Sequence, residues 1–172
     1  MDYLYGQRFH PDGTRVGGMM QDIPDEEVFR RMVKDFLHND LEQAVRDMEK
    51  LLNRNRIFID RMKGIGVLSK EDAISFSATG PMARASGVVR DLRKDEPYLA
   101  YADLDFKVCC ATAGDCFARY YVRMAEMNES LKIIAQAVEN LPSGPIQVGV
   151  DQRVTLPGKR QVHQTIEGLI TH

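Results

Sequence analysis

The residues best suited to chemistry lie between Gly6 and Pro24, in the stretch GQRFHPDGTRVGGMMQDIP. Arg8, His10 and Arg15 supply donors and positive charge, Asp12 and Asp22 supply carboxylates, and Gly13, Gly17 and Gly18 let the backbone turn and approach closely. Neither a 3.6- nor a 2-residue hydrophobic period runs through it, so it reads as an ordered loop. Arginine forks on such a loop suit an anionic or electron-rich partner; the plainer alternative is a surface connection with solvated arginines.

A second polar cluster follows in TGPMARASGVVRDLRKDEPYLAY, with Arg84, Arg90, Asp91, Arg93 and Lys94 around Gly87 and Pro97. This segment reads as irregular, with one or two helical turns. Its charges form either surface ion pairs, each worth under about 1 kcal/mol, or a packed arginine network. Cys109, Cys110 and Cys116 leave one thiol over after any pairing, and adjacent cysteines pair only with strain. They lack the Cys-x-x-Cys spacing and nearby histidine of a tetrahedral metal set. The sequence also holds no G-x-x-x-x-G-K loop, G-x-S-x-G elbow or H-E-x-x-H helix, and histidines 10, 38, 163 and 172 are scattered. The expectation is no catalytic constellation, no metal site, and reduced thiols in a reducing compartment.

Two long helices are placed to hold these clusters. Pro24-Asp25-Glu26-Glu27 puts acids at the positive end of a helix predicted to run to about Asn53. Its apolar positions, from Val28 and Phe29 through Met32, Val33, Phe36, Leu37, Leu41, Val45 and Met48 to Leu52, recur at three- and four-residue steps. Gly114-Asp115 opens the second, with Phe117, Tyr120, Tyr121, Met124, Met127, Leu131, Ile134, Val138 and Leu141 on the expected buried face, and Pro142 to Pro145 as its stop. Between them, Ser69 with Asp72 resembles a capping box for a short helix to about Phe76. Asp105 to Cys110 alternates weakly, as a short strand would, and Ile146 to Val150 reads as an edge strand or extended arm. Met1 to Tyr5 resembles the last turn of an earlier helix, and Gln161 to His172 has helical spacing that ends on its apolar face, as in a chain cut within a longer protein.

At 172 residues the chain fits one domain with a real core. A net charge of -2 provides no global basic field to hold nucleic acid. Its longest apolar runs are far short of the roughly 20 residues that cross a bilayer. The expected fold is therefore mainly α, a long-helix bundle with short extended or β arms, in a soluble intracellular setting.

Read together, these stretches resemble the large, hydrogenase-derived 49 kDa subunit family of respiratory complex I, the NADH-quinone oxidoreductase. The family pattern G-x-R-x-H, four residues, R-x-G-G, two residues, Q-D-[LI]-P falls on Gly6, Arg8, His10, Arg15, Gly17, Gly18, Gln21, Asp22 and Pro24. Asn55-Arg56-Ile57 and Gly64-Ile65-Gly66-Val67 resemble its N-R-I and G-[IV]-G segments. Gly80, Arg84, Ser86-Gly87, Asp91 to Lys94 and Pro97-Tyr98 fit G-x-x-x-R-x-[SA]-G and D-L-R-K-x-x-P-Y. Gly114 to Tyr120 resembles G-D-C-Y-D-R-Y, with Ala113 in place of a common arginine and Ala118 in place of the aspartate. Those two departures imply a thinner salt-bridge network at this helix start.

The resemblance implies a hydrogenase-large-subunit-like core and an electron-transfer role without a cofactor bound by this chain. It implies a neighbouring subunit that holds the terminal [4Fe-4S] cluster, and a quinone pocket formed by the two. Arg8, His10 and Arg15 would face that cluster. Arg84, Asp91, Arg93, Asp115 and Arg119 would form a structural or interface cluster. The implied setting is the peripheral arm, on the cytoplasmic or matrix side, meeting the membrane only through the complex. The chain would then be a central fragment, since the family's quinone-head histidine and tyrosine segment is not among these residues. Paired Cys-x-x-Cys motifs, which a hydrogenase site needs, are not among them either. The alternatives are the matching subunit of a membrane-bound hydrogenase-like complex and a non-redox helical scaffold.

Overall fold

The computed structural model describes residues 2–6, 8–10, 13–19, 21–148 and 157–171, with only the backbone at Arg15. In chain order the elements are α1 (Asp2–Tyr5), β1 (Thr14–Arg15), β2 (Gly18–Met19), α2 (Glu26–Asp35), a π-helical turn (Phe36–Leu41), α3 (Glu42–Leu52), α4 (Arg56–Met62), α5 (Lys70–Ser75), α6 (Gly80–Ala85), α7 (Leu92–Asp95), a 3-10 turn (Tyr101–Asp103), α8 (Cys116–Glu139), α9 (Lys159–Gln164) and α10 (Ile166–Thr171). The protein is mostly helical, as expected, with β1 and β2 as a minimal antiparallel pair. Two compact units divide the chain: 30–141, and the two flanking stretches 1–29 and 142–172.

In the 30–141 unit the first long helix is continuous from α2 through the π turn into α3, since the junction residues Asp35 and Leu41 keep right-handed helical dihedrals. It ends at Leu52, one residue before the expected boundary, and its middle is wider than an α-helix. Residues with reduced exposure include 33, 37, 41, 45 and 49, at uniform four-residue steps. An α-helix would drift off such a stripe; a turn of i→i+5 bonds absorbs the drift and keeps the stripe on one side. Leu37 and Val45 are the residues buried by it.

Helix α8 is the other strut. The core forms where α6 crosses it: Ala85 and Val122 are fully buried and Ala118 nearly so, with Cys109 and Ala111 packed against them. Alanines at the crossing let the two backbones come close. Burial of Val122 contributes about 1.5–3 kcal/mol. The expected face of α8 is only partly inside, because Ile134 is 37 % and Tyr121 58 % exposed. Helix α4 lacks a long apolar period. It folds because Asn55 accepts the Phe58 N–H as N-cap (3.2 Å) and Phe58 packs edge-on against Tyr120 (5.0 Å between centroids). The Ser69 cap of α5 holds as expected, accepting from the Asp72 N–H at 3.0 Å.

The strand expected over Asp105 to Cys110 is absent. The segment is extended, with Leu104 and Phe106 buried and Asp105 and Lys107 exposed, but its partners are side chains of α8. Gln136 accepts from the Asp105 N–H (2.8 Å) and donates to its carbonyl (2.7 Å), and Glu129 accepts from the Lys107 N–H (2.9 Å). Side-chain amide and carboxylate stand in for a neighbouring strand, so the backbone is satisfied without a sheet.

In the other unit, Met19 donates to the Ile146 carbonyl (3.0 Å) and Val148 to the Gly17 carbonyl (2.9 Å), with Gln147 bridging Gly18. The extended arm is thus present through Val148; Gly149 and Val150 lie outside the described residues. The Gln161 to His172 helix is instead α9 and α10 with a break at Thr165, and His172 lies outside the described residues. Ile166, Leu169 and Ile170 are exposed.

Candidate functional site

The second polar cluster is a packed network. Arg84, 8 % exposed on α6, donates through Nε to Glu126 Oε1 on α8 (2.7 Å) and through Nη1 to the Arg90 carbonyl (2.9 Å). Its own carbonyl accepts from the Ala111 N–H at 2.9 Å, so one residue ties α6, α8 and two connecting segments together. Asp91 caps α7 by accepting from the Arg93 N–H (3.0 Å), while its own N–H donates to Asp95 Oδ2 (2.9 Å). The Arg93 guanidinium forks onto both Asp91 oxygens, at 3.0 and 2.6 Å, and lies 4.9 Å from the Phe106 ring centroid. That fork holds the Asp91 carboxyl below its ordinary value against the opposing effect of burial. The other two cations of the cluster are exposed: Arg90 stands 3.7 Å from Glu96, and Lys94 donates to the Leu104 carbonyl at 3.2 Å.

Asp115 and Arg119 make a separate clamp at the start of α8. Asp115, 5 % exposed, is the N-cap: Oδ1 accepts from the Ala118 N–H and Oδ2 from the Gly64 N–H, both at 2.7 Å. Burial pushes this carboxyl up, but the two backbone donors and the Arg119 charge outweigh it, and the net shift is down. Arg119 donates to the carbonyls of Gly114 (2.6 Å) and Gly66 (2.8 Å) and to Cys116 Sγ (3.1 Å). Gly114 has φ +64°, and a Cβ there would lie 2.1 Å from the Leu68 carbonyl oxygen, so only glycine fits. The whole 64–68 loop is thereby fastened to the helix start. Ala118 lies in the core against Ala85, and the donors of Arg119 go to backbone carbonyls and the Cys116 sulfur.

Burial raises the Cys109 and Cys110 thiols above their ordinary value, and nearby Glu129 and Glu126 add to the effect at Cys109. They remain protonated and inert. Among the described residues, no group of three or more His, Cys, Asp or Glu is placed to hold a metal ion.

The Gly6 to Pro24 loop contains a minimal hairpin: Thr14 pairs with Met19 and Arg15 with Gly18, around a Val16-Gly17 turn. A Cβ on Gly18 would lie 2.1 Å from the Ile146 carbonyl oxygen, so glycine is what admits the 146–148 arm. Gln21 donates to the Leu4 carbonyl and Tyr3 to that of Asp25 (3.3 Å), fixing the loop's two ends. Arg8 and His10 are exposed, and no hydrogen bond joins either to another described residue. His10 has φ +51°, a left-handed conformation unusual for a residue with a Cβ. The Arg15 side chain lies outside the described residues. The structure thus brings Arg84, Asp91 and Arg93 together, makes Asp115 and Arg119 a distinct clamp, and leaves Arg8 and His10 pointing to solvent.

The family model described as respiratory-chain NADH dehydrogenase, 49 Kd subunit, matches residues 1–172. The chain belongs to this family. Among curated 49 kDa relatives, it is 47 % identical over 171 residues to a D-type NADH-quinone oxidoreductase subunit of Chloroherpeton thalassium, covering 98 % of this chain and 38 % of that protein. It is 45 % identical to the D-type subunit of Methylacidiphilum infernorum, covering 100 % of this chain and 40 % of the relative. The figure is 44 % for the D-type subunit of Akkermansia muciniphila, with 98 % and 40 % covered. The chain spans about two fifths of the length of these curated relatives. For this 49 kDa family member, sequence reasoning assigned no role to Glu126, Glu129 or Gln136. Their only signal was spacing: 126 and 129 are three apart, and 129 and 136 seven, so they share one side of α8.

Proposed function

We propose that this chain works as part of the quinone-reducing subunit of a proton-translocating NADH-quinone oxidoreductase. The names of its 49 kDa relatives and the match over its whole length support that reading. In it the chain carries no cofactor of its own, keeps the hydrogenase-large-subunit core of its family, and represents a central stretch of a longer subunit. It packs against the subunit that holds the terminal [4Fe-4S] cluster, and the two enclose the quinone. The setting is the peripheral arm, on the cytoplasmic or matrix side, attached to the membrane through other subunits. Among the described residues, no helix is long and apolar enough to cross a membrane.

One observation carries the placement of the cluster. Arg8 and His10 are exposed and unbonded to described residues, on a loop whose backbone is otherwise fixed by the hairpin and the 146–148 arm. Arg8, His10 and Arg15 there face the neighbouring cluster, where donors and positive charge stabilise the reduced state and raise the potential. An imidazole takes up a proton near neutral pH. When a nearby cluster gains an electron, protonation of His10 becomes easier, and by linkage the potential falls as pH rises. The test is a redox titration of the terminal cluster in the assembled complex, read by electron paramagnetic resonance at several pH values. With His10→Met the pH slope flattens and the potential at low pH drops, while quinone reduction continues. An unchanged slope returns His10 to an ordinary loop residue.

A further inference from the structure

Charge is distributed unevenly over this chain. Its net charge is -2, yet residues 53–68 carry Arg54, Arg56, Arg61 and Lys63 against the single carboxylate of Asp60, a local net of +3. All four cations are exposed. Only Arg56 has a carboxylate partner among the described residues, Asp60 at 3.6 Å. Charges left unpaired on a chain of net negative charge form a patch that attracts a partner of opposite sign.

The same stretch exposes apolar side chains. Helix α4 turns Phe58, Ile59 and Met62 inward, and with them the aromatic contact to α8. Ile57 is left outside, 69 % exposed, and Arg61 lies four residues on, on the same side. In the adjoining loop Ile65 is 53 % and Val67 62 % exposed. This loop is not loose. Gly64 donates to Asp115, Cys116 to the Ile65 carbonyl, Arg119 to the Gly66 carbonyl and Leu68 to the Gly114 carbonyl, all within 3.0 Å. Apolar side chains are therefore displayed on a backbone already fixed in place, so little ordering cost remains to be met on binding.

We propose that α4 and the 64–68 loop form a docking surface for an acidic protein face: Ile57, Ile65 and Val67 enter an apolar recess, and Arg54, Arg61 and Lys63 meet carboxylates on its rim. An apolar centre with a charged rim is the anatomy of a protein interface. A lipid surface fits less well, because a helix lying on a membrane presents a long apolar stripe, and α4 has turned all but one of its large apolar residues toward α8. Nucleic acid fits less well again, since a local +3 on a chain of net -2 neutralises few phosphates.

The experiment uses the subunit in its assembled complex, with Ile57 replaced by a photoreactive benzophenone amino acid. The expected adduct is a single protein segment of net negative charge. Its yield should fall about tenfold in the Arg61→Glu/Lys63→Glu background and return with Arg61→Lys/Lys63→Arg. An adduct to lipid, no adduct, or a yield indifferent to charge reversal overturns the proposal. Unchanged thermal midpoints in the reversal variant show that the surface, and not the fold, was altered. The proposal rests on the reading that the chain works inside a complex. A wild-type subunit migrating alone on a native gel counts against that reading; a complex that holds the subunit but gives no acidic adduct counts against the docking surface alone.

Discussion

The polar residues around α8 and those of the Gly6 to Pro24 loop are alike in type and opposite in use. Arg84, Arg93, Asp115 and Arg119 spend their donors and acceptors within the molecule, on Glu126, Asp91 and the backbone of Gly64, Gly66, Gly114 and Ala118. Arg8 and His10 spend none on other described residues. A buried guanidinium must be paired or its desolvation is uncompensated, whereas an exposed one is solvated already and stays available. Residue type thus identifies neither a structural nor a functional arginine; where its hydrogen bonds go does.

The comparison breaks if the α8 region tolerates substitution. The largest effect is expected for Val122→Asp, which buries an unpaired carboxylate in the Ala85–Ala118 core and costs more than about 4 kcal/mol, leaving no folded baseline in a urea titration followed by circular dichroism. On the same helix, Ile134→Asp, a third exposed, should cost only about 1 kcal/mol. Arg84→Ala comes next. It strands Glu126 and should cost about 3 kcal/mol, while Arg84→Met combined with Glu126→Leu should recover most of the loss. A double-mutant cycle with no recovery would show that the pair is not what holds α6 to α8.

Asp115→Ala removes a helix cap and a buried acceptor together, for about 2 kcal/mol near neutral pH. The pH dependence has a definite sign. The folded carboxyl titrates below its ordinary value of 3.8, so its contribution is complete above that pH and is lost as pH falls through the lower folded value. The stability gap between wild type and Asp115→Ala should therefore hold from neutrality to about pH 4 and close below it. A gap that widened on acidification would refute the assignment. At the small end, His10→Gly should leave stability within about 1 kcal/mol of wild type, shifted upward if at all, because glycine accepts the +51° φ without strain. It should nonetheless reproduce the redox effect of His10→Met, and that combination separates the loop from the clamp.

Much of this was legible in the sequence, and the remainder has identifiable causes. The starts of α5 and α8 were readable because Ser69 and Asp115 are caps whose partners are local. The polar cluster was readable as a cluster but not as buried, since the partner that buries Arg84 is Glu126, 42 residues away. Residues 105–110 alternate as a strand does, and pattern alone cannot tell a strand partner from Gln136 and Glu129. Helix α4 escaped because its stability comes from Asn55 and from the Phe58 contact across to Tyr120, and a seven-residue helix is too short to show a period.

The π turn of residues 36–41 makes the first long helix unequal in its tolerance of insertions and deletions. A π turn is an α-helix with one residue too many, so loss of one residue between Phe36 and Leu41 can be absorbed by reverting to ordinary helix, with both flanks still facing α8. The same loss within Glu42–Leu52 has no slack to draw on. It rotates everything downstream by about 100° and carries the start of α4 off its contact with α8. In a set of natural chain lengths, variation in this helix should therefore be confined to the π turn and absent from the residues that follow it.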